Sequence, residues 1–532
     1  MLSALARIGL AAALIAVSLV VGSLKATAAD RPNIVFILTD DEDLKAHAHL
    51  PKTKSLIEDQ GTVLDNYFVS YSFCCPSRAT TLRGQYPHNH RIVGNDLPTG
   101  GAVKFRTMGL DQSTVGTWLK DAGYRTALIG KYLNQYDPEA DGVPPGWTEW
   151  YVPGSHDYAY FDYWLNENGR PVRYGKQAQD YMDDVLARHA TGFIRRSANT
   201  DQPFFLYLAP YAPHSPATGA PRHAGMFAKE AFRHGPAYDE ADVSDKPSVV
   251  RNLPRLLAWQ IEANERHYRE RLRALQAVDD MVEGVVRTLA ETGELDNTYI
   301  VYTSDNGFHL GEHRMFIGKT TAYEEDIHVP FAIRGPGVPR GGRVGAFVLN
   351  NDLASTFAAL AGVKTPGFVD GRSFLPLLAD PQTPWRTSFA VERRQRETHE
   401  IDGAAAFDGL RTRGWTYLEY GSGERELYDL ANDPHQLSNA VDTADPAMIE
   451  AFSQRLAELV NCAGSDCRRI EDLPLRTKPA LVASPSQPVP TTPDDVLRAT
   501  LAPKKAVAGT GTRPAITPAN ASAKPAAPIL TR

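Results

Sequence analysis

The sequence predicts an α/β protein: a large, mostly parallel β-sheet between helices, followed by a small C-terminal α+β part. Three observations predict it. From Asp30 onward, short apolar runs alternate with helical stretches. Several of those runs end in clusters of polar residues, as strand ends do along one edge of a parallel sheet. After Pro384 the texture changes to closely spaced strand-like pieces.

The elements follow in chain order. Arg7, the apolar stretch from Ile8 to Leu24 and Ala26-Thr27-Ala28 form the three parts of an export signal, residues 1–28, with the mature chain expected to start at Ala29 or Asp30. An uncleaved membrane anchor is the alternative; no cysteine follows the apolar core, so a lipid anchor has no attachment point. Either way the body is expected outside the cytoplasm, periplasmic or secreted, with no stable membrane insertion once the signal is cut.

The main domain is expected over 30–384. Its buried strands are IVFIL (34–38), TALIG (126–130), FFLYL (204–208), YIVYT (299–303) and PFAIR (330–334); helices are expected around 114–123, 176–197, 256–292 and 352–361. Asn168-Gly169 between strand-like flanks signals a hairpin. Its aromatics, Tyr158, Tyr160, Phe161, Tyr163 and Trp164, have the rings to stack on sugars, though such a cluster more often packs the hairpin. Residues 385–475 read as a small α+β subdomain, with SFAVERR, GWTYLEY and RELYDL as strands and PAMIEAFSQRLAELV as a helix. Residues 476–532, rich in Pro and Ala with eight basic residues against two acidic, read as a disordered tail.

Over 532 residues, 42% hydrophobic and 22% charged, composition is that of an ordinary globular protein, and the net charge of −7 leaves no overall footprint for nucleic acid. Of four cysteines, Cys462 and Cys467 are expected to pair in an exported protein.

The chemistry collects at the strand ends. IVFIL runs into Asp40-Asp41, TALIG into Lys131, FFLYL toward His214, and YIVYT into Asp305-Asn306, so four distant segments are expected in one crevice. Asp40, Asp41, Asp305 and Asn306 offer only oxygen, which suits calcium or magnesium rather than zinc or copper. In Cys74-Cys75-Pro76-Ser77-Arg78, Pro76 fits the first turn of a helix whose free N–H groups bind an oxyanion, and Arg78 adds a cationic fork. A thiol there is expected to be acidified; a vicinal disulfide or two buried thiols are the alternatives.

Cys74-X-Pro76-Ser77-Arg78 resembles the signature of the sulfatase family, whose cysteine is oxidised to formylglycine during export. GKYLN, PHSP, SDNGFHLGEH, GKTTAYEE, VPFAIRGPG and ELYDLANDP extend the resemblance from about Pro32 to Asn439, and the Cys-Cys form is most similar to glucosamine-6-sulfatases and extracellular heparan 6-sulfatases. The resemblance implies an alkaline-phosphatase-like layered fold and one calcium per chain on Asp40, Asp41, Asp305, Asn306 and the modified Cys74. It implies that Arg78, Lys131 and Lys319 hold the sulfate, that His214 protonates the leaving alcohol, and that a formylglycine-generating enzyme matures the chain. The implied reaction is attack of the hydrated aldehyde on sulfur, loss of the alcohol, then collapse of the second hydroxyl to expel sulfate. The implied substrate is a glucosamine-type 6-O-sulfate, with an aryl sulfate as the alternative. The sequence departs from the family at Leu133, where many members carry a histidine, which leaves His90 and His309 as candidate bases for the collapse; Leu82-Arg83-Gly84 replaces the usual Leu-Thr-Gly. A phosphomonoester or phosphodiester hydrolase of the same superfold and a non-catalytic binder of sulfated glycans are the competing readings; the first often needs a second acidic metal set, and the second has no use for Cys74.

Overall fold

The computed structural model describes residues 31–154, 159–394 and 405–475. The export signal, the C-terminal tail and Tyr158 of the aromatic cluster lie outside them. Ten strands form the main sheet: β1 (Asn33–Thr39), β2 (Thr62–Phe68), β3 (Arg125–Gly130), β4 (Glu149–Pro153), β5 (Trp164–Glu167), β6 (Arg170–Arg173), β7 (Phe204–Ala209), β8 (Thr298–Ser304), β9 (Phe331–Arg334) and β10 (Gly342–Leu349). Their order is β10-β2-β9-β8-β1-β7-β3-β4-β5-β6. At its centre β8, β1, β7 and β3 all run parallel, Ile34 pairing with Phe205 on one side and Tyr299 on the other. These are the apolar runs read from the sequence. The run PFAIR is also a strand, but it pairs antiparallel with both β8 and β2.

Alternation along β1 sorts the core. Ile34, Phe36 and Leu38 enter one apolar cluster while Val35 and Ile37 enter another, because successive side chains of a strand face opposite sides. Helices α1 (Cys74–Arg83), α2 (Val115–Asp121) and α5 (Asp352–Leu360) pack on the first side through residues such as Ala79, Leu119 and Phe357. On the second side lie α3 (Met182–Ser197) and α4 (Ala258–Glu291), through Leu186, Leu272 and Leu275. The result is helix, sheet and helix in layers.

A second sheet is antiparallel throughout: β11 (Ser388–Arg393), β12 (Phe407–Thr412), β13 (Trp415–Tyr420) and β14 (Arg425–Asp429), backed by α6 (Pro446–Leu459). Phe389 and Tyr417 of this sheet and Phe452 of α6 join the first cluster of the main sheet. Cys462 and Cys467 form a disulfide.

The hairpin is a two-residue turn, Glu167 pairing with Arg170 across Asn168-Gly169, both at positive φ. Tyr160 and Tyr163 are buried and offer no open ring face for a sugar. No helix among the described residues is long and apolar enough to cross a membrane.

Candidate active site

The four central strands end side by side, and their polar ends meet. Asp305-Asn306 follows β8, Asp40-Asp41 follows β1, the segment reaching His214 follows β7, and Lys131 follows β3. Gly130 just before Lys131 has φ 110°, and a Cβ there would lie 2.0 Å from Ala209 O, so only glycine lets β3 and β7 close to this spacing. Cys74 and Arg78 come from the start of α1, which ends at Gly84 in the left-handed conformation. Lys319 comes from the long connection between β8 and β9.

Around Cys74 the contacts are dense. Its thiol donates to Asp40 Oδ1 at 3.5 Å and accepts from Lys319 Nζ at 2.8 Å. Lys131 Nζ donates to Asp40 Oδ2, and Lys319 Nζ to Asp41 Oδ1. Arg78 Nε donates to Asp305 Oδ2 at 2.7 Å and its Nη1 to Lys131 O at 2.9 Å. Asn306 Nδ2 donates to Asp41 Oδ1 at 2.7 Å. His214 Nε2 is 3.8 Å from Asp41 Oδ2, and its Nδ1, bonded to Ser215 O at 2.7 Å, must carry a proton because a carbonyl only accepts. All the residues expected from the sequence as nucleophile, anion holders and cation ligands therefore sit in one cluster.

Oxygens of Asp40, Asp41 and Asp305 lie within 4.8 Å of one another, and Asn306 Oδ1 is buried with no hydrogen-bond partner. Clustered carboxylates plus an orphaned amide oxygen fit a hard divalent cation. Asp41 itself holds φ 71°, and Arg271 on α4 fixes that backbone by donating to Asp41 O and Asp43 Oδ2, both at 2.6 Å.

Burial sets the protonation states. It pushes the Cys74 thiol up to about 12, against the pull of Lys131 and Lys319. The acidified thiol expected at a helix start is thus overturned: the field of one helical turn does not outweigh removal from water. The expected cluster of free N–H groups is also reduced, since Cys75 N–H is taken by Asn95 Oδ1 at 3.0 Å and Pro76 has none. Arg78 Nη2, which makes no hydrogen bond and lies 3.7 Å from Asp40 Oδ2, and the two lysines remain to meet an anion. Burial, helped by Asp40, raises Asp305 to about 6. Asp40 itself is held well below the carboxylate range: burial opposes this, but Lys131, His214 and Arg78 outweigh it. Burial drives His214 down to about 4, so it is neutral near pH 7 rather than poised near neutrality.

The two candidate bases part company. His90 is buried with Nε2 on Thr80 Oγ1 at 2.9 Å and Nδ1 accepting from Ile92 N, both nitrogens used within α1 and its exit loop. His309 bonds Asp326 through Nδ1, and its Nε2 lies against Gly318, next to Lys319. Leu133 is buried in the core.

The sequence reading missed several supports. Arg271 was legible as a charge among the apolar residues of a long helix, as was Asp279. Asn95, Arg393 and Glu426 carried no signal. Arg393 Nη1 donates to Thr320 Oγ1 at 3.0 Å, and Glu426, buried, accepts from Tyr323 at 2.8 Å, Tyr420 at 2.6 Å and Tyr428 at 2.5 Å, so the small sheet grips the segment that carries Lys319.

Comparison with known proteins agrees with this geometry. The sulfatase family profile matches residues 32–363, and that of the N-sulphoglucosamine sulphohydrolase C-terminal region matches 311–461. The chain is 35% identical over 497 residues to N-acetylglucosamine-6-sulfatase of Capra hircus, covering 85% of this chain and 88% of that one. It is 39% identical over 382 residues to the extracellular sulfatase SULF-1 homolog of Drosophila melanogaster, covering 70% of this chain but spanning only 34% of the fly protein. A solved structure in complex with its substrate D-glucosamine-2-N,6-O-disulfate superposes with a TM-score of 0.69 at 25% identity, over 80% of this chain and 97% of that one. The crevice, its donor set and these matches lead to one conclusion: the chain belongs to the sulfatase family of sulfuric ester hydrolases.

Proposed function

We propose that this enzyme removes 6-O-sulfate from glucosamine-type sugars outside the cytoplasm, with calcium as its cation and residue 74 matured to formylglycine by a dedicated enzyme. The observation that carries the reading is one cluster of buried Cys74, three carboxylates, Arg78 and Lys131 with half-buried Lys319 and His214 beside them. Family members generally use a formylglycine and a divalent metal ion. The glucosamine assignment rests on the relatives that bear that name and on the substrate held by the similar solved structure.

The formylglycine supplies a carbon bearing two hydroxyls, the chemistry a plain Ser or Cys lacks. Asp40, Asp41, Asp305 and Asn306 would hold the calcium, which would supply positive charge to the site. Lys131 and Lys319, now paired with those carboxylates, turn their N–H groups to sulfate oxygens together with Arg78 Nη2. To donate from Nε2, His214 must carry a second proton, and the anionic ester entering beside it favours that charge. Among the described residues there is one acidic ligand set, which favours sulfate over the two-metal phosphate reading.

Two measurements test this. Mass spectrometry of the peptide containing residue 74 is expected to find the aldehyde. Comparison of kcat/KM on glucosamine-6-sulfate, a sulfated heparan oligosaccharide, p-nitrophenyl sulfate and p-nitrophenyl phosphate is expected to rank the sugars first. If only the aryl sulfate turns over, the sugar assignment fails. Phosphate outrunning sulfate on the matched aryl pair would overturn the choice of ester.

A further inference from the structure

Tyr160, one of the aromatics that the sequence offered for sugar stacking, sits beneath the loop that carries His214. We propose that Tyr160, Tyr181 and Asp183 are positioning residues that hold the 211–218 loop and thereby aim the His214 imidazole at the leaving oxygen.

Three hydrogen bonds carry the inference, one at each part of the loop. Asp183 Oδ1 accepts from Tyr211 N at 2.9 Å where the chain leaves β7. Tyr160 donates its hydroxyl to His214 O at 2.8 Å in the middle. Tyr181 donates to Thr218 O at 2.8 Å at the far end. All three side chains are buried. They are also tied to one another. Met182 N donates to Tyr160 O at 2.9 Å, which fixes Tyr160 to the start of α3, and the Tyr160 and Tyr181 rings stack at 5.5 Å. The edge of Tyr211 meets Tyr160 at 5.7 Å, its ring lies 5.1 Å from that of His214, and Lys131 Nζ sits 5.5 Å from its centre. The rigid start of α3 is thus coupled through short contacts to two groups of the site. An imidazole on a loop is useful only if its nitrogen stays within hydrogen-bond reach of the departing oxygen, and a displacement of about 1 Å is enough to cost a large factor in rate.

The inference rests on the proposed role of His214, and the test separates the two. Tyr160→Phe removes one hydroxyl; His214 O keeps the Ala217 N–H at 2.9 Å, so no buried acceptor is orphaned. For a sugar sulfate with a poor leaving group, kcat is expected to fall about tenfold with KM unchanged, while p-nitrophenyl sulfate is hardly affected. In a His214→Ala background the same substitution is expected to have no further effect, since the group it aims is gone. Tyr181→Phe should repeat this pattern. Asp183→Ala should repeat it too, and Asp183→Asn, which keeps an acceptor for Tyr211 N, should restore it. Additive losses in the double variant, or no loss in any of the three, would overturn the positioning role. If His214→Ala loses equally on both esters, the proton-donor reading fails, and the absence of additivity alone then upholds the support beneath it.

Discussion

The charges of the active site balance before any ligand enters. Asp40, Asp41 and Asp305 contribute three negatives, and Arg78, Lys131 and Lys319 three positives, for a net of zero when Asp305 is ionised. A divalent cation takes the carboxylates from the two lysines and leaves a surplus of positive charge. A sulfate anion arriving alone meets lysines already neutralised. Each ligand therefore prepares the place of the other. At an effective dielectric near 20, unit charges about 4 Å apart interact by about 4 kcal/mol. Much of that is lost to rearrangement of the lysines, so the coupling between cation and sulfate is expected at about 1–3 kcal/mol, an increase in affinity of about 5- to 150-fold. The assay is a calcium titration by calorimetry at pH 8, with and without saturating inorganic sulfate, repeated for Lys131→Ala. Calcium is expected to bind more tightly with sulfate present, and sulfate more tightly with calcium by the same factor, because the linkage is reciprocal. Lys131→Ala should bind calcium better alone and show weaker coupling. Equal calcium affinity with and without sulfate would refute the reasoning, as would tighter binding of zinc than calcium.

Three further outcomes are expected. Cys74→Ala should abolish turnover, whereas Cys75→Ala, which removes a buried sulfur from the core, should keep most activity and cost about 1 kcal/mol in a denaturant melt. Asp305→Ala should lose turnover together with the calcium-dependent rise in melting temperature, a loss that activity alone would not distinguish from misfolding. His47 is bonded to Glu42 and Glu58, both at 2.7 Å; burial opposes its charge, but the two carboxylates outweigh that and raise it to about 10. A raised histidine gives stability that is complete below its ordinary value of 6.5 and lost as pH climbs through about 10, so alkaline melts of the wild type should decline more steeply from pH 7 to 10 than those of His47→Gln.

What the sequence revealed follows from where it was redundant. The central strands were legible because a strand covered on both faces must be apolar at nearly every position, as Ile34–Leu38 and Phe204–Leu208 are. Their polar ends then pointed to the crevice. At one edge the strands were not legible: β2 and β10 are half-covered, and Asp65, Asn66 and Gly345 break their pattern. β12 was missed because Asp408, Gly409 and Arg411 interrupt any apolar run in FDGLRT. Lys319 lies in a stretch outside any helix or strand, so only its resemblance to a family motif revealed it. The protonation of Cys74 was misread because helix position shows in a sequence and depth of burial does not.

The small sheet gives the molecule an order in time. Cys74 and all of α1 are buried, so an enzyme that modifies this cysteine must reach it before the fold closes. The grip on the Lys319 segment comes from Arg393 and Glu426, which leave the ribosome more than 300 residues after Cys74. A chain still being made or exported thus has its early cysteine exposed while the parts that seal the site do not yet exist. Placing the clasp last in the chain would keep Cys74 accessible through the interval in which the proposed formylglycine is made, and the same placement leaves a chain cut short before β14 without the Glu426 grip.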